Sequence, residues 1–243
     1  MPDRPFTILS TGSASADENR TAEKGNYPLS VVVEEIPFIQ ITLNSDEHTR
    51  NEVMSFAGQT QVVVFTSANA VKAVSAFIHR RPDWGIYAVG SVTRKQIVSF
   101  FGEAAILSTA KNAEELSGKI IQDQVRRAVF FCGDQRRDVL PDKLNEHGIH
   151  LQELVVYRTC ATPVQLEKDF DAILFFSPTA VTSFFSINSI PRRTVLFALG
   201  ETTAQILRSF SNNELLICPN PDKKSLLKMA IDYGRSHPIS STC

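Results

Sequence analysis

The sequence predicts an α/β fold of two similar parallel-sheet domains, the product of an internal duplication, with a cleft between them. Three observations predict it. Short apolar runs rich in Val, Ile and Phe alternate with longer stretches of helical period, as in strand and helix units around a parallel sheet. Several segments repeat at one constant offset, the signature of a duplicated architecture. Small and hydroxylated residues follow the apolar runs at matching places in both copies, where strand-to-helix turns belong.

The strands expected from the apolar runs are residues 6–10, 30–34, 62–66, 86–89, 105–107, 128–132, 153–157, 172–176, 195–199 and 215–218, with helices between most of them. The repeat is read by laying the chain on itself. Phe65-Thr-Ser-Ala-Asn-Ala-Val71 reads like Phe175-Phe-Ser-Pro-Thr-Ala-Val181, an offset of 110 residues. Ala88-Val-Gly-Ser-Val-Thr93 reads like Ala198-Leu-Gly-Glu-Thr-Thr203, and Leu116 falls opposite Leu226, both again 110 apart. The remaining pieces, 6–41 and 128–159, are each strand, connection, strand, with weak identity. Tandem copies leave open whether the first strands pair locally or cross to the distant half.

A chain of 243 residues with 43% hydrophobic residues can fill one large core or two modest ones. Its 25 basic and 26 acidic residues balance to a formal charge of -1, which argues against a protein that neutralises many phosphates of a nucleic acid. The four cysteines, Cys132, Cys160, Cys218 and Cys243, form no C-x-x-C pair, so reduced thiols in a cytoplasmic setting are expected rather than zinc or disulfides. No secretory pattern opens the chain, and no run approaches the roughly 18 apolar residues of a membrane span. In that compartment Asn19-Arg20-Thr21 is a chance glycosylation sequon.

In an open parallel sheet, ligands bind beyond the carboxyl ends of the strands. Ser177-Pro178 reads as an N-cap followed by a first-turn proline, and Ser67 stands at the matching turn. Gly90 and Gly200 permit tight turns ahead of Thr93 and Thr203, and Cys132-Gly133-Asp134 is a third exit. Free N–H groups and the helix dipole make such turns receptive to carboxylate or phosphate. Ser and Thr cap helices in any α/β protein; it is their duplication that marks these for function. Arg136 and Arg137 read equally as anion contacts or as a solvated first turn. His147 and His150 have ligand-like spacing, but Gly148 between them makes a surface turn. The phosphate-loop, dinucleotide, zinc-protease and serine-hydrolase motifs are absent.

Six segments taken in order resemble the uroporphyrinogen-III synthase family: Phe65-Thr-Ser67, Ala88-Val-Gly-Ser-Val-Thr93, Phe131-Cys-Gly-Asp-Gln-Arg-Arg-Asp-Val-Leu140, Leu154-Val-Val-Tyr-Arg-Thr159, Phe175-Phe-Ser-Pro178 and Ala198-Leu-Gly-Glu-Thr-Thr203. The resemblance runs from about residue 60 to the C-terminus. It implies a discontinuous first domain of residues 1–36 plus 160–243 and a second of 37–159, joined by linker strands at 37–43 and 155–159. It also implies the reaction, in which hydroxymethylbilane loses its terminal hydroxyl and closes with inversion of ring D, with no cofactor. Tyr157 is the implied proton donor. Thr66, Ser67, Gly90, Thr93, Cys132, Gly133, Arg137, Ser177, Gly200, Thr202 and Thr203 are the implied contacts to substrate acetates and propionates. No metal, nucleic acid or membrane partner is expected, and a monomer is the default.

The first connection departs from the family. Thr11-Gly-Ser-Ala-Ser-Ala-Asp-Glu-Asn19 is polar where an amphipathic helix is usual, so that helix reads as shortened or lost. The tail 235–243 is polar and reads as frayed. A second reading is therefore a non-catalytic two-lobed module that binds a tetrapyrrole or other polyanion. A third, a periplasmic-type binding protein, needs an export signal that the reading above does not find.

Overall fold

A computed structural model describes residues 4–12 and 31–237 of the chain. The polar segment after Thr11, the sequon at Asn19 and the last six residues of the tail lie outside the described residues. The rest of that tail is not frayed: Arg235 and Ser236 form the last turn of a helix, because Ile231 and Gly234 on the same face are buried.

The chain divides into two compact units, residues 1–40 with 160–243, and residues 41–159. In the first unit, strands β1 (Phe6–Ser10) and β2 (Val31–Glu35) precede β3 (Ile39–Leu43), within which the chain leaves the unit. The second unit continues with α1 (Glu47–Ala57), β4 (Gln61–Phe65), α2 (Ala68–Phe77), β5 (Trp84–Val89), α3 (Ser91–Phe101), β6 (Ile106–Ala110), α4 (Ala113–Gln122), β7 (Arg127–Gly133) and α5 (Val139–Glu146). β8 (His150–Ala161) carries the chain back. The first unit is completed by β9 (Ala172–Phe175), α6 (Pro178–Phe185), β10 (Val195–Ala198), α7 (Glu201–Phe210), β11 (Leu215–Ile217) and α8 (Lys223–Ser236).

Two sheets result, ordered β11-β10-β9-β1-β2 and β3-β8-β7-β4-β5-β6. β1 pairs in parallel with both β2 and β9, and β7 in parallel with both β4 and β8. β1 thus enters the sheet of the distant strand β9, which settles the pairing that the sequence leaves open.

The inner strands of each sheet are buried on both faces, which is why they read as continuous apolar runs rather than as alternating ones. In the second unit, Val63, Phe65, Ile86, Ala88, Val129 and Phe131 face a core completed by Ala70, Val71, Ala73 and Val74 of α2 and by Ile97 and Phe101 of α3. Val64, Tyr87, Ala128, Phe130 and Cys132 face the opposite core with Leu116 and Ile120 of α4 and Leu140 and Leu144 of α5. The first unit repeats the scheme, with Leu9, Ile173, Phe175 and Leu196 against α6 and α7, and Ile8, Leu174 and Phe197 against α8. Each fully buried Leu, Ile or Phe contributes about 1.5–3 kcal/mol relative to exposure.

Two polar features of the first unit carry stability predictions. Asp171, ahead of β9, accepts Arg4 Nη1 and Nη2 at 2.7 Å each and Thr7 N and Oγ1 at 2.9 Å each. Burial pushes its pKa up, but the bonds from Arg4 and Thr7 outweigh burial and hold it below the ordinary aspartate value. A carboxylate depressed in the folded state stabilises the fold above its unfolded pKa, and that contribution fades as pH falls through the folded value. Asp171→Asn is expected to cost about 2 kcal/mol at neutral pH and to flatten the acid limb of the unfolding curve. Denaturant titration at neutral and acid pH measures both effects.

Among the described residues, Ser183 Oγ in α6 is buried without a hydrogen-bond partner. An unsatisfied buried hydroxyl destabilises, so Ser183→Ala is expected to raise stability by about 1 kcal/mol, or about 2–4 °C in Tm by calorimetry.

Candidate functional site

The carboxyl ends of the second sheet gather the strongest chemistry. β4 ends at Phe65, and after Thr66 the hydroxyl of Ser67 caps α2, accepting Asn69 N–H at 3.1 Å from an extended backbone. Next to β4 in the sheet comes β7 and then β8, and Tyr157 belongs to β8. Its phenol comes near enough to the Ser67 hydroxyl to feel it electrostatically. Ser67 Oγ accepts from the helix and keeps its own hydrogen to donate.

A register shift explains how Tyr157 reaches that position. Along β7 and β8, Phe131 pairs with Leu154 and Cys132 with Val155, but Gly133 pairs with Tyr157, so Val156 is an extra residue. Strict alternation would put Leu154 and Val156 on one face and Val155 and Tyr157 on the other. Instead Leu154, Val156 and Tyr157 all pack with the α2 core, and Val155 alone of the four packs on the α4 and α5 side. The bulge turns the ring onto the face where α2 begins.

The turn after β7 is tied to the same strand. Asp134 N donates to Tyr157 O at 3.2 Å, Thr159 N donates to Asp134 Oδ1 at 3.0 Å, and Gln135 Nε2 donates to Thr159 O at 3.2 Å. Arg136 forms ion pairs with Asp138 and Glu153. That makes it a strut of the turn. Arg137 stands exposed beside it. Asp134 was not legible as functional because its partner lies 25 residues away; an Asp directly after a strand-ending Gly was the available signal.

Burial pushes the Tyr157 pKa up, the nearby Ser67 hydroxyl opposes this in part, and the net shift is upward. The group therefore keeps its proton at neutral pH. The Cys132 thiol faces the opposite core, donates to Leu154 O at 3.7 Å, and is pushed up to about 11 by burial. It is neither exposed nor nucleophilic, and only its backbone faces the turn.

Gly90 begins α3 with φ +84°, a left-handed conformation that favours glycine, and no side chain caps that helix. Thr93 is buried in its first turn.

In the first unit, Ser177 caps α6, accepting Ala180 N–H at 3.2 Å, and Pro178 occupies the first turn as expected. Gly200 begins α7 without a side-chain cap, Thr202 is exposed and Thr203 is buried. A Cβ at Gly90 or at Gly200 would meet no atom within 4 Å, so both uncapped helix starts border open space. Uncapped N–H groups at a helix start favour an anion. His147 caps the end of α5 beside the left-handed Gly148, and His150 opens β8. Among the described residues no group of three or more His, Cys, Asp or Glu could hold a metal ion. No helix among them is long and apolar enough to cross a membrane.

Fold and strand ends together define a class: an α/β protein with two parallel-dominated sheets, hydroxyl-capped or open helix starts, and a protonated tyrosine among them. The family model described as Uroporphyrinogen-III synthase HemD matches residues 28–228. The chain belongs to the uroporphyrinogen-III synthase family. It is similar to the uroporphyrinogen-III synthase of Saccharomyces cerevisiae, 25% identical over 183 residues, or 63% of this chain. The chain spans 65% of the length of that curated relative.

Two solved structures share the fold. The Helicobacter pylori uroporphyrinogen-III synthetase has a TM-score of 0.68 at 16% identity, covering 94% of this chain and 99% of that one. A variant of the Thermus thermophilus uroporphyrinogen III synthase has a TM-score of 0.61 at 16% identity, covering 95% and 98%.

Proposed function

We propose that the chain is a cyclising lyase that converts hydroxymethylbilane to uroporphyrinogen III, without a cofactor. Beyond family membership, one observation carries the reading: a phenol that keeps its proton is seated against Gly133 at the strand ends, on the side of the sheet where a serine caps α2.

The phenol's hydrogen bonds the substrate's terminal hydroxyl. Proton transfer from Tyr157 lets the C–O bond break, releasing water and an azafulvene cation. Ring D attacks that cation through its substituted carbon to give a spiro intermediate, which reopens and recloses in the inverted sense. The proton lost as the macrocycle regains its pyrroles returns to the tyrosinate, so acid and base balance over one turnover. Thr66, Ser67, Thr93, Ser177, Thr202, Thr203, Arg137 and the amides at Gly90, Gly133 and Gly200 are proposed to hold the substrate carboxylates. Holding them fixes which carbon of ring D faces the cation, and so the regiochemistry.

The discontinuous domains, 1–36 with 160–243 and 37–159, belong to this reading, as do the linker strands at 37–43 and 155–159. The division of the chain near residues 40 and 160 supports them. Internal duplication is supported by the strand orders, since β4, β5 and β6 take the places in their sheet that β9, β10 and β11 take in theirs. A cytoplasmic monomer is part of the proposal, in keeping with cysteines scattered along the sequence without a C-x-x-C motif.

The reading is tested by incubating the purified chain with freshly generated hydroxymethylbilane and separating the isomers. Type III in excess supports it; type I alone, the product of spontaneous closure, overturns it.

A further inference from the structure

We propose that Gly133, with the bulge at Val156, positions the Tyr157 ring: the residue is glycine because the phenol occupies the space a side chain would need. This deepens the lyase reading and rests on it for its catalytic meaning. The proposed carboxylate contact belongs to the Gly133 amide; the missing side chain makes room for Tyr157.

A Cβ placed on Gly133 would lie 2.4 Å from Tyr157 Cζ and 2.7 Å from both Cε2 and the phenol oxygen. Carbon atoms in contact sit about 3.5–4.0 Å apart, so the ring and a methyl group cannot share the place. The bulge creates this meeting by pairing Gly133 directly with Tyr157 and turning the ring to the α2 side of the sheet. The strand alternation of Phe131, Cys132 and Gly133 puts a side chain at 133 on that same side. The ring therefore lies on bare β7 backbone, on the side where α2 packs.

The backbone at Gly133 is not among the left-handed glycines, so its conformation does not itself require glycine. The clashing atoms are the far end of a partly exposed side chain with two rotatable bonds, which can give way where a backbone could not. Gly133→Ala thus separates the two roles a glycine could have. It should displace the phenol and leave the strand intact.

The experiment compares the chain, Gly133→Ala, Tyr157→Phe and the double variant by thermal melting, by ultraviolet titration of tyrosinate, and by turnover. The Tyr157 ionisation is assigned as the part lost in Tyr157→Phe. Expected for Gly133→Ala are a Tm within about 3 °C of the parent, a Tyr157 midpoint moved down toward the ordinary tyrosine value, and kcat lowered about 100-fold with KM within about threefold. In the Tyr157→Phe background Gly133→Ala should add less than about threefold, because the phenol is already gone. An unmoved Tyr157 midpoint, or a full 100-fold penalty in the Tyr157→Phe background, overturns the proposal. If Gly133→Ala does not fold, Gly133→Ala with Tyr157→Ala decides: a folded double variant supports the ring as the reason for glycine, and an unfolded one overturns it. Should the parent chain form no type III isomer, the lyase reading fails alone, and the tyrosinate midpoint still decides the seat.

Discussion

Replacing Tyr157 by Phe is expected to lower kcat by about 10²- to 10³-fold while leaving KM nearly unchanged, the range for removal of a general acid. The ring is kept, so its seat over Gly133 and its packing against the α2 core survive. Only the phenol oxygen is lost, so stability is expected to change by about 1 kcal/mol or less. The pH dependence has a definite sign. A proton donor whose pKa is raised by burial stays competent up to and beyond the ordinary tyrosine value of about 10, so the parent's rate falls only on the far alkaline side. The Tyr157→Phe residual rate lacks that limb. Initial rates across pH for both proteins check the split between kcat and KM and the lost limb together.

Gly200→Asp is expected to raise KM for hydroxymethylbilane about 10- to 100-fold and at the same time to raise Tm slightly. The backbone of Gly200 is extended, at φ -170°, so any residue adopts it, and a Cβ there meets no atom within 4 Å. Aspartate is among the strongest N-caps and would supply the side-chain bond that α7 lacks, improving on glycine by a few tenths of a kcal/mol. The same carboxylate would stand where the lyase reading puts a carboxylate of the substrate, and like charges brought together weaken binding by about 1–3 kcal/mol. Opposite signs for stability and affinity separate an anion-binding helix start from one that is merely uncapped. Calorimetry and steady-state kinetics on one variant measure both.

Much of the fold was legible because its strands are buried on both faces. Val63, Val64 and Phe65, or Ile173, Leu174 and Phe175, are uninterrupted apolar runs that only a covered parallel sheet explains. Strand limits were less legible where polar residues share a strand. β8 extends from His150 to Ala161, not merely 153–157, because His150, Glu153 and Arg158 face solvent while their neighbours pack. α1 was not singled out, since only Thr49, Val53 and Phe56 of its eleven residues are buried. Ser67 and Ser177 could be read locally as caps, and they are caps. The bulge could not be read, because Leu154-Val-Val-Tyr157 looks like an unbroken strand and the extra residue exists only relative to β7. For the same reason the tie between Gly133 and Tyr157, 24 positions apart and joined through pairing, has no local signature.

The central claim is tested most directly by the isomer ratio formed from fresh hydroxymethylbilane by the chain and by Tyr157→Phe at equal concentration, read by chromatography after oxidation. The lyase reading predicts type III in excess from the chain and a ratio shifted toward type I from the variant. Type I alone from the parent chain would contradict it.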